Sequence, residues 1–357
     1  GWKHAAQIKR VAVDCPSGLN LDNGHVPFEG DTGANDFDPW PKTLNSADLT
    51  VTFHTPKPGH YLGVGPLLCG ALRVADIGLT GDARERVHIM HRPDPERVRL
   101  VAPDFMGRRV SQWPMRLIGK GRVGGHKYQH GHCMVFAGGV GRGGAGRLAA
   151  RSALRAGAGL VTVLCPPAAL QENACRLDAV MLRALAHDQP LEAVVDDRVA
   201  AFCLGPGMGV SEKTQERVLE VLARRARHKE ARRPAVVLDA DALGSFADIP
   251  DKLFSATHAR TILTPHEGEF ARLFPDLAQS ARGTLSKIDV VREAAARAGC
   301  IVLLKGEDTV IAQPDGGASV HAAAYGREAP WLATAGAGDV LAGLIAGLAA
   351  PEVSDSM

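Results

Sequence analysis

The stretch "GHCMVFAGGVGRGGAGRLAARSALRAGAGLVTVLC", residues 131–165, reads as strand, glycine-rich loop, helix and strand. Its two strand-like runs are almost continuously apolar, as strands buried on both faces are. The helical run between them is closed by Gly157 and Gly159. Downstream, "AAFCLGPGMG" (200–209), "AVVLDADAL" (235–243), "RTILTPHEGE" (260–269) and "IVLLKGEDTVIA" (301–312) have the same apolar character. Helical patterns such as "SEKTQERVLEVLARRARH" and "LSKIDVVREAAARAG" separate several of them. This alternation predicts an α/β fold, a mostly parallel sheet covered by helices on both faces. Ligands of such sheets bind beyond the carboxyl ends of the strands. The polar residues that end these runs are therefore the candidates for chemistry.

At 357 residues the chain has room for two domains. A net charge of +2 is too small to argue for nucleic acid or an anionic membrane surface. No apolar run reaches the ~20 residues that span a bilayer. None of the seven cysteines (Cys15, Cys69, Cys133, Cys165, Cys175, Cys203, Cys300) forms a CxxC pair, and most lie in apolar runs. The expectation is buried reduced thiols in a cytoplasmic protein.

Residues 8–79 hold three further strand-like runs, "IKRVAVDCPSGL", "ADLTVTFHTPKPGH" and "LRVADIGL", with little helical sequence between them. They read as the second half of an α/β domain. Residues 93–118 carry four prolines and mixed charge and read as a linker. The expected organisation is thus 1–92, a partial domain; 93–118, a linker; and 119–357, the main domain. The chain opens on "GWKHAAQIKR" without an initiator Met and ends on "PEVSDSM". Truncation at both ends is expected.

Six stretches can carry chemistry, five at strand ends and one where a loop runs into a helix. In "AGGVGRGGAG" (137–146) glycines bring backbone N–H groups near an anion at a helix start, although no P-loop lysine follows; a tight turn is the alternative. "GPGMG" (205–209) offers a bare loop against which a flat ligand can lie, or is a structural turn. The aspartates of "LDADAL" (238–243) hold a metal or water, or else bind a backbone turn and cap a helix. In "TPHEGEF" (264–270) His266 can hydrogen-bond a ligand, and Glu267 and Glu269 can act through water or Mg²⁺. Lys305 and Gly306 end a buried strand, where a lysine and exposed amides suit a phosphate. In "TAGAGDVLAGLIAGLAA" (334–350) the amides of Ala337, Gly338 and Asp339 stand at a helix N-terminus, which carries about half a positive charge. They form an anion hole for a phosphoryl group in transfer, and Asp339 is placed to accept a proton beside it. Simple capping by Asp339 is the alternative. His126, His130 and His132 lack a fourth ligand at suitable spacing and read as a solvated loop before the first strand. Arg147, Arg151 and Arg155 read as a solvated helix face or a subunit contact.

Taken in order along residues 119–350, "GHKYQHGHCMVFAGG", "GAGRLAARSALRAGAGLVTV", "GPGMG", "DADAL", "TPHEGEF", "KGEDTVIAQPDG" and "ATAGAGDVLAGLIAGLAA" resemble the ADP-dependent NAD(P)H-hydrate dehydratases. The resemblance implies a ribokinase-like three-layer αβα domain. "VAVDCPSGLNLDNG" and "ADLTVTFHTPKPGHYLGVGPLLCG" resemble the C-terminal part of a Rossmann-like NAD(P)H-hydrate epimerase domain. The implied function is repair of NADHX and NADPHX: the S hydrate loses water at the expense of ADP, giving AMP and phosphate. The resemblance assigns Asp339 as catalytic base. It assigns Lys305, Gly306, Glu307, Asp308, Thr309 and Gly338 to the nucleotide, with Mg²⁺ bridging the ADP phosphates. Ala145, Gly207 or Gly209, His266 and Asp339 fall to the hydrate. In the epimerase part Asp14 contacts the hydrate and Ser17 helps bind K⁺. The family's upstream Asn-rich glycine motif is absent, which puts epimerase activity in doubt, and related chains continue with more helix after "GLIAGLAA". A homo-oligomer is expected. The competing readings are a ribokinase-like kinase for a small alcohol and a nucleotide-binding remnant without turnover.

Overall fold

The computed structural model describes residues 9–26, 46–78, 98–101, 126–224, 233–281 and 285–350. Both chain ends, and the expected linker apart from 98–101, lie outside the described residues.

The first three strands form a small parallel sheet in the order β1 (Val11–Val13), β2 (Leu49–Phe53), β3 (Ala71–Ala75). A ten-stranded sheet contains β4 (Val98–Leu100), β5 (His132–Phe136), β6 (Leu160–Cys165), β7 (Met181–Ala184), β8 (Val199–Leu204), β9 (Ala235–Leu238), β10 (Thr261–Leu263), β11 (Ile301–Leu304), β12 (Asp308–Ala312) and β13 (Ala318–Ala322). Their spatial order is β4-β13-β12-β11-β10-β9-β8-β5-β6-β7. All pairs are parallel except β11–β12 and β12–β13. The α/β expectation holds.

The apolar runs resolve into two cores by simple alternation. Met134, Phe136, Leu164, Phe202, Leu204, Val236 and Leu238 face one helical layer. Cys133, Val135, Val161, Val163, Ala201, Cys203 and Val237 face the other. The second layer is thin because its two main helices, Gly143–Ala156 and Ala337–Ala349, meet through small residues. A Cβ added at Gly343 would lie 2.0 Å from the Ala149 carbonyl oxygen; one at Gly347 would lie 2.4 Å from that of Ala153. Ser152 Oγ donates to the Val340 carbonyl at 2.8 Å across this seam.

Three details differ from the sequence reading. Val98–Leu100, inside the expected linker, pairs parallel with β13 at the edge of the large sheet. His132 is not solvated: it is a buried strand residue bonded to Thr162 Oγ1 at 2.7 Å, and burial pushes its imidazole down to about 4. Arg147 is not a free surface charge, since its guanidinium bonds Glu172 at 3.0 Å and Asn173 at 3.1 Å.

Six of the seven cysteines are buried or partly buried, and Cys175 is exposed; all are free thiols. No helix among the described residues is long and apolar enough to cross a membrane.

The small unit docks on the large sheet through residues 60–63. Leu62 is fully buried in the larger core, and Tyr61 packs with Ala322, Ala324 and Tyr325. Val11 and Val13 on β1 are 58% and 70% exposed.

Candidate active site

Five strands of the large sheet end at the same rim, and each delivers a loop there. The decisive element is the helix Ala337–Ala349. Gly336 precedes it at φ +91°, a left-handed conformation that glycine adopts without strain. This turn delivers Asp339 into the first helical turn, half-buried, with no side-chain cap hydrogen bond at the N-cap. The Ala337 N–H already donates to the Thr334 carbonyl at 3.3 Å. The anion-hole reading therefore narrows to the amides of Gly338 and Asp339, which follow it in the first turn.

Lys305 follows β11 and reaches Asp239, the residue after β9, with its Nζ 2.7 Å from Oδ1. Asp239 is 2% exposed and also accepts from Thr264 Oγ1 at 2.8 Å. A Cβ built on Gly338 would stand 3.5 Å from Lys305 Nζ and 3.9 Å from Asp239 Oδ2. The lysine, its buried carboxylate and the helix start thus converge on one point. Gly338 leaves the space that a side chain would fill.

Burial pushes the Asp339 carboxyl above its ordinary range, Asp239 and Asp241 add to the rise, and Lys305 opposes it. A carboxylate so placed is a stronger base than a solvated one.

Residues 239–241 join this centre to the glycine loops. Ala240 sits at φ +47°, a conformation costing a non-glycine residue about 1–3 kcal/mol. Asp241 accepts the Gly209 N–H at 2.8 Å. Of the alternatives for the two aspartates, Asp241 thus binds a backbone turn, while Asp239 holds the lysine. A Cβ on Gly207 would come 2.6 Å from the Arg142 carbonyl and 3.5 Å from Ala145 Cβ, so Ala145 and Gly207 share one wall. Glu172 holds the loop on its other side, accepting from Gly141 N–H at 2.7 Å and from Arg147 at 3.0 Å.

His266 is the N-cap of the helix Glu267–Leu273: its Nδ1 accepts from Gly268 and Glu269 N–H, and Glu269 answers by accepting the His266 N–H. Glu269 also lies 4.0 Å from Lys305 Nζ. The His266 side chain is 56% exposed, and its Nε2 lies 3.4 Å from Glu269 Oε1. In the turn after β11, Thr309 Oγ1 donates to the Gly306 carbonyl at 2.8 Å. Asp308 accepts from Lys287 Nζ at 2.6 Å. Glu267 lies 3.6 Å from the same Lys287.

Asp14 and Ser17 belong to the small unit and do not join this set. Asp14 sits at φ +65° and accepts from Lys57 Nζ and Thr52 Oγ1, both at 2.7 Å. Those two bonds hold its carboxyl below the usual range. Ser17 is exposed. No group of three or more His, Cys, Asp or Glu side chains among the described residues is arranged to hold a metal.

Thr264, Thr52, Lys57 and Glu172 were not picked out from sequence. Thr264 and Lys57 follow strand ends, where the same rule could have found them; Glu172 lies in a short helix and carries no local signal.

The sequence pattern of the NAD(P)H-hydrate dehydratase family matches residues 133–355. The chain is 35% identical to the bifunctional NAD(P)H-hydrate repair enzyme Nnr of Moorella thermoacetica, over 96% of this chain and 58% of that one. It is 30% identical to the Escherichia coli protein of the same name, over 98% of this chain and 58% of that one. The chain therefore spans about 58% of the length of these relatives. Among solved structures, the ADP/ATP-dependent NAD(P)H-hydrate dehydratase of Bacillus subtilis, co-crystallised with ATP and Mg²⁺, superposes with a TM-score of 0.53 at 25% identity, over 68% of this chain and 82% of that one. A ribokinase-like superfamily protein of Enterococcus faecalis gives 0.57 at 22%, over 71% and 81%. The fold of the large unit is ribokinase-like.

Proposed function

Because the chain belongs to the NAD(P)H-hydrate dehydratase family, we propose that it dehydrates the S hydrate of NADH and NADPH with ADP as co-substrate. The observation that carries this reading is the convergence of Asp339, Gly338 and the Lys305–Asp239 pair at one helix start. Loss of water from the hydrate needs a better leaving group than hydroxide. Asp339 takes the hydroxyl proton, and the oxygen forms a bond to the β-phosphorus of ADP as the bond to AMP breaks. Lys305 and the Gly338 amide hold the charge on the moving phosphoryl group. The C–O bond then breaks with phosphate departing, the neighbouring carbon gives up its proton, and the ring double bond returns. Asp239 fixes the lysine, and residues 305–309 hold the adenine nucleotide.

Ala145, Gly207, Gly209 and the open side of His266 form the hydrate wall in this reading. Mg²⁺ would enter on the ADP phosphates, neutralising their charge; such a cation keeps waters and needs only one or two protein carboxylates. Asp239 and Glu269, both beside Lys305, are the carboxylates at hand. We read the small unit as the C-terminal part of an NAD(P)H-hydrate epimerase domain. Its K⁺ at Ser17 rests on the resemblance alone. A cytoplasmic, homo-oligomeric protein belongs to the same proposal.

The test supplies NADHX with ADP and Mg²⁺ and follows the reduced-nicotinamide absorbance. Recovery of absorbance with stoichiometric AMP is expected. No recovery with ADP or ATP, alongside phosphorylation of a small alcohol, would replace the reading by a kinase.

A further inference from the structure

We propose that residues 57–65 of the small unit are a positioning element for the nucleotide turn 305–309, acting through Asp308. The proposal rests on the reading that this turn binds ADP.

Asp308 is held from two directions. Lys287 Nζ donates to Oδ1 at 2.6 Å, and the Gly63 N–H of the small unit donates to Oδ2 at 3.0 Å. The second bond joins residues 245 positions apart in sequence. Without it, one oxygen of a half-buried carboxylate loses its protein partner, and the turn loses one of two tethers.

The same segment grips the strand that backs the turn. Asp308 pairs with Ala322 in the β12–β13 ladder, and the Ala323 N–H donates to the Glu307 carbonyl at 2.7 Å. Two residues on, the Tyr325 hydroxyl donates to the His60 carbonyl at 2.6 Å. Its ring meets that of Tyr61 edge-on, with centroids 5.3 Å apart. Tyr325 sits at φ +56°, a strained conformation for a bulky residue, which surrounding contacts must hold in place. Its hydroxyl bond and its ring contact both reach the small unit, and Ala322 and Ala324 complete the packing from the large one.

The brace is itself anchored. His60 is fully buried, and its ring bonds the Asp14 carbonyl at 2.8 Å and the Lys57 N–H at 3.0 Å. A hydrogen-bonded route therefore runs from the Asp14 neighbourhood to the nucleotide turn. Gly63, Gly306, Asp308 and Tyr325 wall one cavity of about 1570 Å³, so both units face a shared space. By reciprocity of binding free energies, whatever orders the turn raises ADP affinity, and ADP orders the brace in return.

The experiment uses the whole chain. ADP affinity is measured by calorimetry, which needs no turnover, and KM and kcat are measured with NADHX. Tyr325→Phe, which removes only the hydroxyl, and Tyr61→Ala are each expected to weaken ADP binding and raise KM for ADP about three- to tenfold, with kcat held. Tyr61→Phe, which keeps the ring contact, should restore wild-type KM. Amide exchange over 57–65 should slow on adding ADP. Unchanged ADP affinity in the folded Tyr325→Phe protein would overturn the brace, as would a fall in kcat at constant KM. A wild-type chain that binds ADP without converting NADHX would sink the dehydratase reading and leave the calorimetric comparison to decide the brace.

Discussion

Asp14 and Asp339 are carboxylates of the same type, each with a lysine in its neighbourhood, yet they are driven in opposite directions. Asp14 takes Lys57 Nζ directly at 2.7 Å, and its carboxyl is held below the usual range. Asp339 has Lys305 nearby, but that lysine is already bound at 2.7 Å to Asp239. Asp339 is left with burial and two negative neighbours, and its carboxyl rises. Proximity of a cation does not by itself set a carboxylate's proton affinity; what matters is whether the cation is already spoken for. A directly paired carboxylate is fixed as an anion, whereas one facing a shared lysine keeps its appetite for a proton.

The contrast is broken hardest by Asp339→Asn, which removes the proton acceptor and keeps the shape. Turnover should fall by about 10²–10⁴-fold, with ADP affinity retained in a calorimetric titration. Equal activity would remove Asp339 as base. Next comes Asp239→Asn, which leaves Lys305 an amide oxygen in place of its charged partner. KM for ADP should rise about tenfold, the scale of one charge-assisted hydrogen bond. The same change removes a negative neighbour of Asp339, so the acid limb of the kcat/KM profile should move to lower pH; a limb moving upward would contradict the assignment of causes. In the small unit, Lys57→Met should raise the pKa of Asp14, read by carboxyl carbon NMR, and leave dehydratase kcat unchanged. The smallest effect is expected from Asp241→Asn. Its amide oxygen still accepts the Gly209 N–H, but the charge is gone, so the acid limb should move to slightly lower pH with little change in KM.

How much of this was legible beforehand depended on whether a feature was local. The strand–loop–helix units of 131–165 and 200–312 follow from apolar runs and glycine punctuation, both short-range signals. The place of Asp339 in the first turn of a helix was legible too, because glycines run straight into a long apolar run there. The Lys305–Asp239 pair was not, since it joins residues 66 positions apart and nothing in "LDADAL" tells which aspartate turns toward a lysine. Ala337 was read as part of an anion hole because its own acceptor, Thr334, belongs to an irregular loop without periodicity. The strand Val98–Leu100 hid in a proline-rich stretch: three residues give no pattern, and its pairing with β13 is a long-range contact. His132 and Arg147 were misread for one reason, that polar letters on a buried or bridged surface look like solvent-facing ones until their partners are known.

The glycine seam between the helices Gly143–Ala156 and Ala337–Ala349 has a consequence for mutational tolerance. At Gly343 even one methyl group would meet the Ala149 carbonyl oxygen at 2.0 Å, and at Gly347 the Ala153 carbonyl oxygen at 2.4 Å. The first helix begins beside the proposed hydrate wall and the second carries the proposed base in its first turn, so the seam indexes one against the other at near-backbone contact, with Ser152 Oγ bonded across it. In a saturation screen scored on turnover, Gly343 and Gly347 should therefore cluster with the reactive residues, although each lies one or two helical turns from the chemistry.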